Sequence, residues 1–209
     1  MLIHNQIIVN TILIILSITC LVLATRAIYI YSYSKSDVLF TIGISMIIVG
    51  VSIFVGYLQD SHITQWNAHV SWYAGTIIGI FFPVALSWAR SNETIEKIKR
   101  LLIIFTAIFT IITLVTPLYP PFSNPYIPVT LNIIRTAIAL IGFVRYLALY
   151  SKRKTRFTLL MCLAFLLIGA GFGIQTPQLI DITLSTFLAI GDLLRLIGFC
   201  ILLTAYSLN

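Results

Sequence analysis

Asp192 and Arg195 stand inside an otherwise apolar run that extends over 183–206. A carboxylate and a guanidinium together can bind an ion or polar solute, take part in proton transfer, or simply pair with each other. In hydrocarbon each costs about 2.5–3.5 kcal/mol at the centre of a helix, whereas each Leu, Ile or Phe returns roughly 0.3–0.6 kcal/mol. The apolar residues of the run barely offset the two charges, so this segment needs neighbours that accept them. At i,i+3 spacing the two side chains share one helix face. Arg135, with Asn132 one turn before it, lies in another apolar run about a turn shallower than Asp192, within reach of a long side chain. Asn132, Arg135, Asp192 and Arg195 are therefore the expected ligand or ion-pathway residues, a polar site near the bilayer midplane. The competing reading is an internal salt bridge that fixes helix register and does nothing else.

Other chemistry is poorly supported. His4, His62 and His69, with Asp60 and Asp181, are weak candidates for a zinc or copper site, because they come from separate segments without HxxxH or HExxH spacing. They read as separate interfacial histidines, and no metal or other cofactor is expected. Cys20, Cys162 and Cys200 all fall in apolar runs and read as small buried hydrophobes. In size and topology the chain resembles microbial rhodopsins, but its last segment has no lysine for a retinal Schiff base, and arginine cannot serve. No GxSxG nucleophile motif occurs either.

The elements that must position the four residues follow from composition. Of 209 residues only 9% are charged, against about a quarter in soluble domains, and the mean hydropathy is +1.04. So large an apolar excess makes the bilayer part of the solvent. Apolar segments fall at 6–25, 38–58, 68–88, 101–118, 129–149, 157–175 and 183–206, each near the roughly 20 residues a spanning helix needs. The fold expected is all-α, a seven-transmembrane-helix bundle forming one polytopic domain over 1–209. Arg26 and Lys35 mark the first connection, Arg90, Lys97, Lys99 and Arg100 the third, and Lys152, Arg153, Lys154 and Arg156 the fifth. The second, fourth and sixth carry no Lys or Arg. By the positive-inside rule the N-terminus is outside and the C-terminus cytoplasmic. A net charge of +7 distributed in this way belongs to loops, and nucleic acid is not expected as a partner.

Finer features concern packing. Pro117, Pro120, Pro121, Pro125 and Pro128 stiffen the fourth connection. Trp88, Tyr146, Tyr150 and Tyr206 suit the inner aromatic belt. Gly75–Gly79 and Gly169–Gly173 are GxxxG pairs that let helices approach closely. Tyr33-Ser34-Lys35 followed by Phe40-Thr41 recurs as Tyr150-Ser151-Lys152 followed by Phe157-Thr158. That recurrence is either chance and shared loop chemistry, the preferred reading, or the mark of a 3+1+3 parallel repeat, helices one to three and five to seven, with helix four as linker.

The function expected is non-enzymatic: a transporter-like protein that binds or moves a small solute or ion through the midplane site. The alternative is a sensor-like module or membrane-embedded subunit docked on a larger complex; an outer-face metal enzyme ranks behind both. The expected surroundings are the lipid bilayer of the plasma membrane, with a membrane-complex partner or a homo-oligomer as company.

Overall fold

A computed structural model describes residues 2–60, 69–115, 124, 126–179 and 185–207. The helices are α1 (Leu2–Ser34), α2 (Asp37–Asp60), α3 (His69–Leu86), α4 (Asn92–Val115), α5 (Tyr126–Arg153), α6 (Arg156–Gln175) and α7 (Ser185–Ser207), with a 3-10 turn, Thr176–Leu179, continuing α6. No strand occurs among the described residues. All seven are long and apolar enough to cross a membrane. The chain is an all-α, multi-pass membrane protein. The turn-forming residues 117, 120, 121 and 125 fall outside the described residues, while Pro128 lies in the first turn of α5, where its missing N–H costs nothing.

Hydropathy located the helices but not their ends. The fourth begins at Asn92, not near 101, so Lys97, Lys99 and Arg100 are helical rather than in a loop. Ser91 Oγ accepts the Thr94 N–H at 3.2 Å and caps the start. Glu93–Lys97 at 2.7 Å and Glu96–Arg100 at 2.6 Å then lace the first turns. A helix ends where its backbone hydrogen bonds run out, not where the side chains turn polar. For the same reason α1 runs past Arg26 to Ser34. Tyr146 also departs from expectation: it is buried and stacks on Phe165 at 5.5 Å between ring centroids, a core residue and not a belt residue.

The connections α1–α2 and α5–α6 are built alike. Lys35 (φ 54°) and Lys154 (φ 48°) take the left-handed conformation just past their helices. Each donates its N–H to a tyrosine carbonyl four residues back, Tyr31 and Tyr150, at 2.8 Å. Ser32 Oγ bonds the Tyr29 carbonyl at 2.7 Å and Ser151 Oγ the Ala148 carbonyl at 2.9 Å. Ser36 and Thr155 then open the next helices, their carbonyls accepting from Phe40 and Leu159 at 3.2 Å. The repeat is real, but its register differs from the sequence match by two residues. Tyr31-Ser32, not Tyr33-Ser34, corresponds to Tyr150-Ser151; the doubled Tyr-Ser at 31–34 offers two alignments, and only the backbone chooses between them.

With that same displacement along the chain, the glycine contacts also recur. A Cβ placed on Gly50 would lie 3.4 Å from Cys20 Cβ and 3.1 Å from the Leu21 side chain; one on Gly169 would meet Ala139 Cβ and Leu140, both at 3.3 Å. On Gly79 it would meet Val49 and, at 2.7 Å, the Ser45 carbonyl; on Gly198 it would meet Ile168 at 2.8 Å and the Ala164 carbonyl at 3.0 Å. From Cys20 on, α1–α3 repeat the glycine contacts of α5–α7.

The chain groups into two compact units, one of Met1–Thr19 with Phe122–Asn209 and the other of Cys20–Pro121. In the second, α4 is more than a linker. Leu102 and Phe109 enter a core with Ile48, Ile78 and Phe82. Lys99 Nζ pairs with Asp37 at 2.6 Å, and the Ser71 and Thr113 hydroxyls bond at 2.7 Å.

The two glycines of differing contact give a direct test of these interfaces. Gly79→Ala is expected to cost about 1–3 kcal/mol in thermal unfolding in detergent, since its methyl would press on backbone. Gly173 has only Thr136 Cγ2 at 3.6 Å, so Gly173→Ala should be neutral or gain up to about 1 kcal/mol of helix propensity. Equal stability of the two variants would contradict the α2–α3 contact.

Candidate polar site

The site lies within α5–α7, and each helix delivers one face to it. On α5 the buried residues Asn132, Arg135, Ala139, Gly142 and Tyr146 fall on a single stripe. On α6 Phe172 and Gln175 are buried, and on α7 Asp192 and Arg195. Both arginines and the aspartate are only 1% exposed.

Asp192 is the centre of the α6–α7 side. Its Oδ1 pairs with Arg195 one turn on and accepts the Gln175 amide at 2.7 Å. The same Gln175 nitrogen reaches the Leu188 carbonyl at 3.1 Å. Asp192 Oδ2 is buried and has no hydrogen-bond partner among the described residues. Such an open carboxylate oxygen is a place for a ligand donor or a cation, since a buried acceptor left unsatisfied is costly.

Phe172 joins the two sides. The Arg135 guanidinium carbon stands 5.2 Å from its ring centroid and that of Arg195 4.7 Å. Cation–π contact of this kind is worth about 2 kcal/mol or more when desolvated. Asn132 does different work: its amide donates to the Phe172 carbonyl at 2.6 Å and to Thr176 Oγ1 at 3.1 Å. That carbonyl belongs to the last turn of α6, where intrahelical donors are lacking, so Asn132 secures the helix end that carries Gln175.

Room for these contacts comes from Gly171 and Gly191. A Cβ on Gly171 would lie 2.6 Å from the Gly191 carbonyl oxygen and 2.6 Å from Arg195 Cγ; one on Gly191 would lie 2.6 Å from the Gly171 carbonyl. The two backbones touch here, and Arg195 lies across α6 because no side chain stands in its way.

All four residues expected from sequence thus belong to one cluster, with Phe172, Gln175, Thr176 and the two glycines added. Gln175 left a faint signal as a polar residue at the end of an apolar run. Phe172 left none among 13 phenylalanines.

The first copy of the packing scheme carries different residues at these places. At the positions of Phe172, Gln175, Asp192 and Arg195 stand Ile53, Gly56, Tyr73 and Thr76, buried alike, and in the sequence Leu13 and Leu16 stand at those of Asn132 and Arg135. Gly56 faces Trp72, its contact placed where Gln175 faces Gly191, with the bulk on the opposite helix.

Family models, curated proteins and solved structures give no match to this chain. The chemistry of the site rests on its own residues.

The histidines do not assemble among what is described. His69 opens α3, its Nε2 2.9 Å from Gln59 Nε2. His62 and Asp181 lie outside the described residues, as do the side chains of His4 and Asp60. No group of three His, Cys, Asp or Glu that could hold a metal occurs among the described residues. Of the cysteines expected to be buried, Cys200 is exposed on α7, a surface that hydrocarbon tolerates.

Proposed function

We propose that this protein binds or moves a small polar solute or ion through the α5–α7 cluster, without itself being an enzyme. The supporting observation is the contrast between the two copies. The contacts Gly50–Cys20/Leu21 and Gly79–Val49/Ser45 build the scheme with apolar and neutral residues at the corresponding positions. On this reading helix register is kept by the glycine contacts and does not depend on Arg135, Asp192 and Arg195. Charges that cost several kcal/mol each to bury, and that the fold can do without, are kept for another use. Within hydrocarbon that use is contact with something polar. Asp192 Oδ2 is the atom offered to a ligand donor or cation, and the two guanidiniums supply the opposite charge beside it. The charge asymmetry of the connections supports an outside N-terminus, in the plasma membrane or another membrane that obeys the positive-inside rule.

The test removes the charges and keeps the bulk. The variant Arg135→Met/Asp192→Leu/Arg195→Met should insert and purify as wild type does. Wild type reconstituted in vesicles, assayed with proton- and chloride-sensitive dyes and by thermal shift against amino acids and monocarboxylates, should respond to at least one probe. The variant should respond to none. A variant that keeps every response of the wild type would end this reading.

A further inference from the structure

We propose that the α5–α6 connection is a binding site for phosphate-bearing anions, and that its occupant is the headgroup of an anionic phospholipid. Lys152, Arg153, Lys154 and Arg156 place four cations within five residues, all exposed. The α1–α2 connection performs the same turn with Tyr33, Ser34, Lys35 and Asp37 at the corresponding positions. Over 152–156 only the left-handed lysine and the hydroxyl residue after it match the first connection, as do Tyr150-Ser151 just before them. The cations at 152, 153 and 156 are additions.

One of them is also misplaced for the helix it opens. Arg156 is the first residue of α6, where unsatisfied N–H groups already make a positive end and a cation is unfavourable. Its counterpart Asp37 carries the favourable sign at the start of α2 and is met by Lys99 at 2.6 Å. The other cations of α4 are likewise paired, Lys97 with Glu93 and Arg100 with Glu96. In the unit holding α5–α7, the one acidic residue among those described is Asp192, buried on α7. Arg156 puts positive charge where its own helix disfavours it, while Lys152 and Arg153 close α5, where the helix end accepts cations; together they face one turn with no carboxylate of that unit described beside it, which suits an external anion.

Position selects the anion. Both α5 and α6 span the membrane, so the turn between them emerges at the headgroup layer. Val144 and Leu147 on α5 and Leu159 and Leu163 on α6 are exposed apolar residues leading away from it along the helices. They offer a surface for acyl chains beneath a phosphate held by the cations. Arginine matches a phosphate with two parallel N–H groups, and polybasic segments beside a spanning helix attract anionic lipid.

The experiment is native mass spectrometry of the full chain exchanged into equal mixtures of phosphatidylglycerol and phosphatidylcholine. Wild type should retain phosphatidylglycerol preferentially. In Lys152→Gln/Arg153→Gln/Arg156→Gln the preference should fall by about fivefold per cation removed. Lys97→Gln/Arg100→Gln, which removes charge elsewhere, should leave it intact. The substituted side chains are exposed, and thermal unfolding verifies that the fold survives. No preference in wild type, or an equal loss in the α4 variant, overturns the site. Stabilisation of the lipid-free protein by inorganic phosphate or glycerophosphate, abolished in the triple variant, would replace the lipid headgroup by a soluble anion.

Discussion

Asp192→Ala is expected to destabilise the protein by about 3–5 kcal/mol, and exchange of all three buried charges for Met and Leu to restore most of that loss. Deleting the carboxylate leaves Arg195 and Arg135 buried without it, and arginine cannot discharge by losing a proton. The Gln175 amide loses its 2.7 Å acceptor at the same time. The triple variant removes the cations together with the carboxylate, and apolar replacements of similar volume for buried ions are often neutral or stabilising. The first copy already carries leucine at two of the corresponding positions, Leu13 and Leu16. Unfolding in mixed micelles, followed by circular dichroism, measures both variants. If Asp192→Ala matched wild type, the carboxylate would not be compensating the guanidiniums. If the triple variant were as weak as the single one, the charges would be structural and the argument from the two copies would fail.

Gly171→Val should rank next, at about 3 kcal/mol, the upper part of the range for overpacking a close contact. Its new side chain meets the Gly191 carbonyl and Arg195 Cγ, each 2.6 Å from the Cβ position alone. The arginine can swing aside, but the carbonyl moves only if α6 and α7 separate. Separation would also pull Gln175 from Asp192. The variant should therefore lose solute response together with stability. Adding Arg195→Ala should relieve only the side-chain part of the clash. Full recovery in the double variant would mean that the backbones do not touch as described.

Seven spans were legible because hydrophobicity is a property of residues in sequence, and crossing hydrocarbon demands a fixed length of it. The four charged and amide residues stood out for the same reason, as polar side chains inside those runs. Helix ends were not legible: Asn92 and Ser34 are set by caps and by backbone bonds that polar residues also make. The repeat was not legible either: the matching Tyr33-Ser34-Lys35 and Tyr150-Ser151-Lys152 lie two residues out of the register that the left-handed Lys35 and Lys154 define.

The tertiary structure decided what the charges touch. Asp192 and Arg195 carry their partnership in their spacing, since i,i+3 on one helix leaves little freedom. Gln175, Phe172 and Asn132 come from other helices, and nothing local in those segments specifies which faces meet. That choice belongs to the glycines at 171, 191 and 198, whose missing side chains set how closely and in what register α6 and α7 lie. The polar residues and their depth in the membrane are written along the chain. Their assembly around Phe172, and the comparison with an uncharged copy that argues for their use, exist only once the helices pack.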